Sequence, residues 1–221
     1  MTNGYRSDGF RDTEHRRFRL RIAHSKASDS AGEEAGRRGY PCGESCAWCC
    51  RSVVMINDGD VALLKAALEK LPAEKREAIA ERARAYAAGF SVEAKAIIRV
   101  DPDSAVAVLA RTWPEGGLAC PLLEESEPGR GLCSVYESRP LVCRVHHARA
   151  VDGSGPDGCR PGGEDAKQLE ILNVVPLMQR VITENGLSLA GLLGIEVDRI
   201  LRQIPPATAK TENDPGPTEP A

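Results

Sequence analysis

The stretch Cys42-Gly-Glu-Ser-Cys46-Ala-Trp-Cys49-Cys50 places four cysteines within nine residues. Thiols packed this tightly along the chain are hard to pair with one another as disulfides. They can instead face a shared soft cation, which takes three or four sulfur ligands at about 2.3 Å. The other four cysteines form a second, looser group, at Cys120, Cys133, Cys143 and Cys159. The pattern therefore indicates a metal site that joins two distant parts of the chain.

The overall composition is that of a folded protein with few aromatic side chains. Of the 221 residues, 42% are hydrophobic and 4% are aromatic. A metal bound only by the folded state adds to the free energy of folding, so it can supply part of the missing cohesion. The net charge of −3 argues against a general nucleic-acid binder. No run of 18 apolar residues is present, which argues against a membrane span.

The first residues, from Met1 to Arg6, carry scattered charges and no apolar segment, unlike a secretory signal. We therefore expect a cytoplasmic protein, whose thiols are kept reduced. In that compartment, clustered cysteines are more typical of metal ligands or redox groups than of structural disulfides.

Composition along the chain predicts three regions. Residues 1–38 are rich in charged residues, Ser and Gly, and are predicted to be a disordered N-terminal tail. Residues 39–204 are predicted to form one cysteine-cluster metal-binding domain. Residues 205–221 contain five prolines and no branched apolar residue, and are predicted to be a disordered C-terminal tail.

Local patterns within the domain predict a mainly α fold. Asn57-Asp58 offers an N-cap after a short β-prone run, and Pro72 ends the following helix and starts the next. Further helix signals occur between residues 90 and 113. A helix is also predicted from Ala166 to Glu184, with Pro176 as a kink and Gly186 as its C-cap.

Residues 114–164 have a different character, because Gly, Pro and Cys dominate and no periodic segment is long. An irregular segment of this length is uncommon inside a compact domain. Ligation of its cysteines to a metal would replace the hydrophobic packing that it lacks. The predicted fold class is therefore a helical scaffold with an irregular cysteine-rich metal-binding loop region.

The two adjacent cysteines of the first group, Cys49 and Cys50, constrain how it can bind metal. Neighbouring side chains are expected to diverge, so the pair is not expected to point at the same atom. This favours either one ligand beside one packed thiol, or two metal centres close together. For any single cysteine, burial as a small hydrophobic residue is the alternative.

Ordered motifs after the first group are typical of a known family. They read Cys120-Pro-Leu122, then Cys133-x-Val-Tyr136-x-x-Arg139-Pro140, then Cys143-Arg144. With C-x3-C-x2-C-C they resemble the YkgJ-type cysteine-cluster family, a zinc- or iron-chelating domain that also takes in flagellin lysine N-methylases. The resemblance spans about Pro41 to Cys159. The chain departs from the family pattern in the gap of three between Cys42 and Cys46, and in the pair His146-His147.

The resemblance implies which residues hold the metal. The candidate ligands are Cys42, Cys46, Cys49, Cys50, Cys120, Cys133, Cys143 and Cys159. Tyr136, Arg139, Pro140 and Arg144 carry over as motif residues without an assigned chemical step. From the residues themselves, Arg139 or Arg144 could compensate the charge of several thiolates, or form a surface salt bridge with Glu137. His146 and His147 are further candidate ligands.

The metal and the activity remain open at this point. Eight cysteines fit two closed zinc sites, whereas three clustered cysteines and a remote fourth fit an iron–sulfur cluster. Cys42, Cys46 and Cys49 also match the signature of radical S-adenosylmethionine enzymes, but no strand precedes them. One alternative is an iron–sulfur-dependent protein-modifying enzyme such as a lysine N-methylase, which would have a protein substrate. Another is a structural metal module or thiol redox sensor that mediates protein interaction.

Overall fold

The computed structural model describes residues 13–40, 46–89, 118–127, 129–151 and 169–205. Within these ranges the helices are α1 Glu14–Arg37, α2 Asp58–Leu68, α3 Ala73–Ala88, α4 Leu141–Val145, α5 Val175–Asn185 and α6 Leu193–Gln203. Short 3₁₀ turns cover Trp48–Arg51 and Tyr136–Ser138. The strands are β1 Met55–Asn57, β2 Leu123–Glu127, β3 Arg130–Cys133, β4 Ala148–Ala150, β5 Leu169–Ile171 and β6 Leu189–Leu192. The prediction of a mainly α fold is confirmed.

The described strands pair only in twos, as antiparallel ribbons between β1 and β6, β2 and β3, and β4 and β5. The largest core cluster lies beside these ribbons, between α2, α3 and α6. Leu68, Ile79 and Val197 meet there with almost no exposed surface. Gly194 permits the close approach of α3 and α6, because a Cβ at this position would lie 2.2 Å from the ring of Tyr86.

Helix α2 begins as the sequence predicts. The Asn57 side chain accepts a hydrogen bond from the Asp60 N–H at 2.9 Å, and the Asp60 carboxylate accepts one from the Asn57 N–H at 3.1 Å. This reciprocal pair is a capping box. The second carboxylate oxygen of Asp60 accepts the N–H of Leu141 at 2.8 Å. A single buried side chain therefore starts α2 and also fixes the start of α4.

Helix α1 shows that the prediction of a disordered tail over residues 1–38 is wrong for most of this range. Glu14–Arg37 forms a continuous helix whose inner face is buried against α2, α4 and α5. The buried stripe consists mostly of small residues: Leu20, His24, Ala27, Ala31 and Ala35. Alanine lets helices approach closely, but it contributes little to a hydrophobic pattern, and many of the other positions are charged. Residues 1–12 of the predicted tail lie outside the described residues.

The second half of the domain contains more local structure than expected. The predicted irregular segment holds the β2–β3 hairpin and helix α4. The helix predicted from Ala166 to Glu184 is shorter, because residues 169–171 pair with β4 as a strand and α5 begins at Val175. Pro176 lies in the first turn of α5, where its missing N–H costs nothing, so it causes no kink.

Gly186 ends α5 as predicted, with φ 58° in the left-handed region. The helix signals between residues 90 and 113 and the predicted tail beyond residue 205 lie outside the described residues. In the part of the chain that is described, no helix combines the length and the hydrophobicity that crossing a bilayer requires.

Candidate metal centre

The first cysteine group docks on the turn of the β2–β3 hairpin. Cys46 forms an isolated antiparallel bridge with Arg130, and the Ala47 N–H donates to the Gly129 carbonyl at 2.9 Å. The ring of Trp48 covers Gly129, which has a φ of 78°. A Cβ at Gly129 would lie 2.1 Å from the Trp48 ring, so only glycine fits beneath it. The Ala-Trp pair between the cysteines thus fixes this segment on the hairpin.

A second backbone contact joins the two cysteine groups directly. The Cys120 N–H donates to the Cys50 carbonyl at 2.8 Å, and the Leu123 N–H donates to the Cys120 carbonyl at 3.0 Å. Leu123 in turn lies opposite Cys133 in the β2–β3 ladder. Secondary structure therefore brings three of the candidate ligands, Cys50, Cys120 and Cys133, into one region.

These thiols lie at the edge of the main core. Cys120 is buried within the core cluster, and Cys50, Cys133 and Cys143 pack against it. Cys143 comes from helix α4. The six described cysteines are all free, so none of them forms a disulfide. The structure thus brings together cysteines from both sequence groups, as reduced thiols in an apolar environment.

The same thiols lie near enough to one another for their charges to interact. Burial first, and then the charges of Cys133 and Cys49, raise the pKa of Cys120 to about 12. Burial also raises the pKa of Cys143 well above its ordinary value, with added repulsion from Cys120, Cys49 and Cys133. Several thiolates therefore repel one another strongly in this low-dielectric region. They can ionise together only when a cation compensates them.

Cys49 and Cys50 hydrogen-bond each other, which differs from the expected divergence of adjacent side chains. Both lie in the 3₁₀ turn Trp48–Arg51. The hydrogen bond from Cys50 lowers the pKa of Cys49, and the same bond raises the pKa of Cys50. Of these two adjacent thiols, Cys49 is therefore the first to become a thiolate.

Two arginines of the sequence motif lie beside the thiols. Arg139 stacks on the ring of Tyr136, with its guanidinium carbon 3.7 Å from the ring centroid. Its positive charge helps to lower the pKa of Cys49 and partly offsets the raised pKa of Cys133. The Nε of Arg144 donates to the Arg139 carbonyl at 2.9 Å, and its Nη2 donates to the Glu137 carbonyl. Within the described residues, neither arginine forms an ion pair with a carboxylate, so the predicted salt bridge with the Glu137 side chain is absent.

The two histidines after Cys143-Arg144 lie in a partly buried position. Burial lowers the pKa of both His146 and His147, so neutral imidazoles are favoured. The Nδ1 of His147 is buried and has no hydrogen-bond partner in the described part of the chain. A neutral imidazole with an unused ring nitrogen has the chemistry of a metal ligand. The structure does not place either ring on the thiols.

Two buried polar residues near the thiols were not singled out from the sequence. The Asp60 carboxylate raises the pKa of Cys143 through its charge. His24, on α1, is fully buried, and its Nδ1 lies 3.8 Å from the Asp60 Oδ1. The spacing Asn57-x2-Asp60 is the one sequence signal for Asp60, since it matches a capping box. His24 carries no comparable signal.

The donor set fits a soft metal in its chemistry, although the described residues do not form a finished site. Sulfur ligands suit zinc and iron, and the thiols are buried, reduced and clustered. Among the described side chains, however, no group of three or more Cys, His, Asp or Glu converges closely enough to hold an ion. Cys42 and Cys159 lie outside the described residues.

Comparison with known proteins supports the same chemistry. A family model named CxxCxxCC, described as a "putative zinc- or iron-chelating domain", matches residues 41–160. This match covers more than half of the chain and includes all eight cysteines. No curated protein and no solved structure was found to match the chain.

Proposed function

The chain belongs to the CxxCxxCC family, and on this premise we propose that its two cysteine groups together bind zinc or iron. One observation carries the proposal: thiols from distant segments, at Cys49, Cys120 and Cys143, are close enough to shift one another's pKa values. The proposed ligands are drawn from Cys42, Cys46, Cys49, Cys50, Cys120, Cys133, Cys143 and Cys159.

The energetic reason is charge compensation. Burial of several thiolates without a counter-ion is costly in a medium of low dielectric constant, so Cys50, Cys120, Cys133 and Cys143 stay protonated when no metal is bound. A divalent metal replaces those protons and turns mutual repulsion into attraction to a shared ion. Arg139 and Arg144 add positive charge outside the ligands, because both oppose the raised pKa of Cys133.

Zinc and iron make different demands on these cysteines. Two closed zinc sites would use four ligands each, which accounts for all eight. An iron–sulfur cluster would use Cys42, Cys46 and Cys49 with one distant cysteine, and would leave the others for a second centre. The hydrogen bond between the Cys49 and Cys50 thiols places two of these candidate ligands side by side.

The proposal is tested by metal analysis of anaerobically purified full-length protein. Zinc binding predicts a colourless protein with stoichiometric zinc. An iron–sulfur cluster predicts a brown protein with broad absorbance near roughly 400 nm. In either case, Cys120→Ser should lose metal, whereas Ser134→Ala, next to Cys133 in the hairpin, should retain it. Protein that contains neither metal, and takes up neither zinc nor ferrous iron anaerobically, would contradict the proposal.

A thiol redox sensor is the second candidate function, and the Cys49–Cys50 hydrogen bond favours it. A thiol that accepts a hydrogen bond ionises more easily, and the thiolate is the reactive form. Iodoacetamide should then label Cys49 before Cys133 in metal-free protein. Equal labelling rates would remove this candidate.

An enzymatic role is a further hypothesis that rests on the resemblance to flagellin lysine N-methylases. It requires an iron–sulfur centre and a protein substrate. Methylation of a lysine-containing protein by the reconstituted iron-loaded chain is its direct test. Zinc as the native metal would argue against it.

A further inference from the structure

An open cleft of about 670 Å³ lies between α1, the end of α2 and the segment after β3. Arg21 lines its α1 wall and Lys70 its α2 wall. Cys133, Tyr136 and Arg144 line the opposite side. This volume is within the range of small-molecule binding sites and exceeds what inorganic phosphate alone would fill.

We propose that this cleft binds a small organic anion that carries a phosphate or carboxylate group. Three cationic side chains, Arg21, Lys70 and Arg144, face a cleft that contains one acidic residue, Glu137. Throughout the described residues, no carboxylate lies within ion-pair distance of these three cations. Arg21 and Lys70 can therefore pair with a ligand, as can the remaining donors of Arg144, and charge-assisted hydrogen bonds to phosphate or carboxylate are among the stronger polar contacts.

The geometry of Arg144 supports a built site. Its guanidinium is half-buried, and two backbone carbonyls, those of Arg139 and Glu137, hold it in place. A side chain that is fixed before binding loses little conformational entropy when a ligand arrives. Arg21 and Lys70 come from the other walls and are exposed, so a bound anion would bridge three segments.

The cleft also has an apolar part, which would contact the organic portion of the ligand. Ala66, Ala67 and Leu71 line the α2 side beside Lys70. Cys133 also lines the cleft. The anion would therefore bind next to the cysteine cluster, although its binding needs no ion at the cysteines. The inference goes beyond metal binding and can hold or fail independently of it.

The test is a calorimetric titration of the full-length protein with four probes of defined charge. We expect saturable binding of ribose 5-phosphate or of citrate, and none of ribose. Citrate should displace ribose 5-phosphate, because both would occupy the same cationic cleft, and excess inorganic phosphate should displace either one. Binding of ribose as tight as that of ribose 5-phosphate, or no saturable binding of any anion, would overturn the inference.

Charge-neutral variants locate the site. Arg21→Gln and Lys70→Gln should each weaken anion binding by roughly tenfold, since one charge-assisted hydrogen bond is lost. Arg19→Gln is the matched control, because it removes the same charge from the same helix but lies outside this cleft. Circular dichroism checks that the variants fold. If Arg19→Gln weakens binding as much as Arg21→Gln, the anion responds only to net charge and the cleft is not its site.

Discussion

Cys120 donates its backbone N–H to the carbonyl of Cys50 over 2.8 Å, and so connects the two cysteine groups without any ion. The main core, with Leu68, Ile79 and Val197, includes Cys120 itself, and its other side chains are apolar. We therefore expect the scaffold to depend on metal less than a small zinc finger does. Metal binding should add to the stability of a domain that is already folded.

Removal of the metal should lower the melting temperature but should leave most of the helical structure intact. An ion bound only by the native state, at a thousandfold excess over its Kd, stabilises by about 4 kcal/mol. Thermal melts followed by far-ultraviolet circular dichroism, with and without a chelator, measure this effect. Cys120→Ser should melt at or below the temperature of the chelated protein, because it also puts a hydroxyl into the core, and chelator should change its melting temperature less than that of the native protein. Complete loss of helix on chelation would contradict this prediction.

Gly129→Ala should destabilise the protein strongly, because the new Cβ would lie 2.1 Å from the Trp48 ring at a φ of 78°. The backbone strain alone costs about 1–3 kcal/mol, and the displaced indole adds to it. Gly32→Ala is the matched control, since it lies inside α1 and a Cβ there meets nothing within 4 Å. That change should stabilise by about 0.5–1 kcal/mol. Urea denaturation measures both, and equal midpoints for the two variants would show that Trp48 does not require glycine beneath it.

Helix α1 should behave as part of the folded domain. Leu20 is 1% exposed and packs with Leu63 and Leu187, so Leu20→Ala should cost about 2–5 kcal/mol. Phe18, two residues earlier, is 59% exposed, so Phe18→Ala should cost much less although it removes a larger side chain. Denaturant unfolding of the two variants measures the difference. If the cost follows side-chain size instead, α1 is not docked as described.

The features predicted correctly from the sequence are those that short-range chemistry determines. The caps at Asn57 and Gly186 follow from a side-chain acceptor and from a left-handed backbone, and both can be recognised from a few residues. The cysteine spacing likewise predicted that two distant groups meet, because only a shared environment explains so many thiols.

The features that were missed depend on contacts between distant parts of the chain. The α1 stripe is mostly alanine, so its burial appears only when α4 and α5 are in place. Residues 169–171 follow a helical pattern, but pairing with β4 makes them a strand. The position of His24 beside Asp60 arises from the packing of α1 against α2, and no local pattern encodes it.

The buried pair of His24 and Asp60 should make the pH dependence of stability small in the native protein and large in single variants. Burial, and then the charge of Arg144, lowers the pKa of His24 from 6.5 to about 4. The stability that His24 contributes is therefore present above pH 6.5 and is lost as the pH falls through 4. Burial raises the pKa of Asp60 to about 6 from 3.8, despite hydrogen bonds from the Asn57 and Leu141 N–H groups and the charge of Arg144. The stability that Asp60 contributes is therefore present below pH 3.8 and is lost as the pH rises through 6. The two effects oppose each other between about pH 4 and 6.

Each single variant should therefore expose the effect of the other residue. In His24→Gln, stability should fall as the pH rises from 4 to 6, and in Asp60→Asn it should fall as the pH drops from 6.5 to 4. The slope should approach about 1.4 kcal/mol per pH unit where folded and unfolded states differ by one proton. Urea unfolding at several pH values measures these slopes, and His15→Gln, exposed on the same helix, should leave the native profile unchanged. Burial opposes the ionisation of both residues, and this gives the two variants slopes of stability against pH that have opposite signs. If both variants showed slopes of the same sign, a single residue would control the acid response.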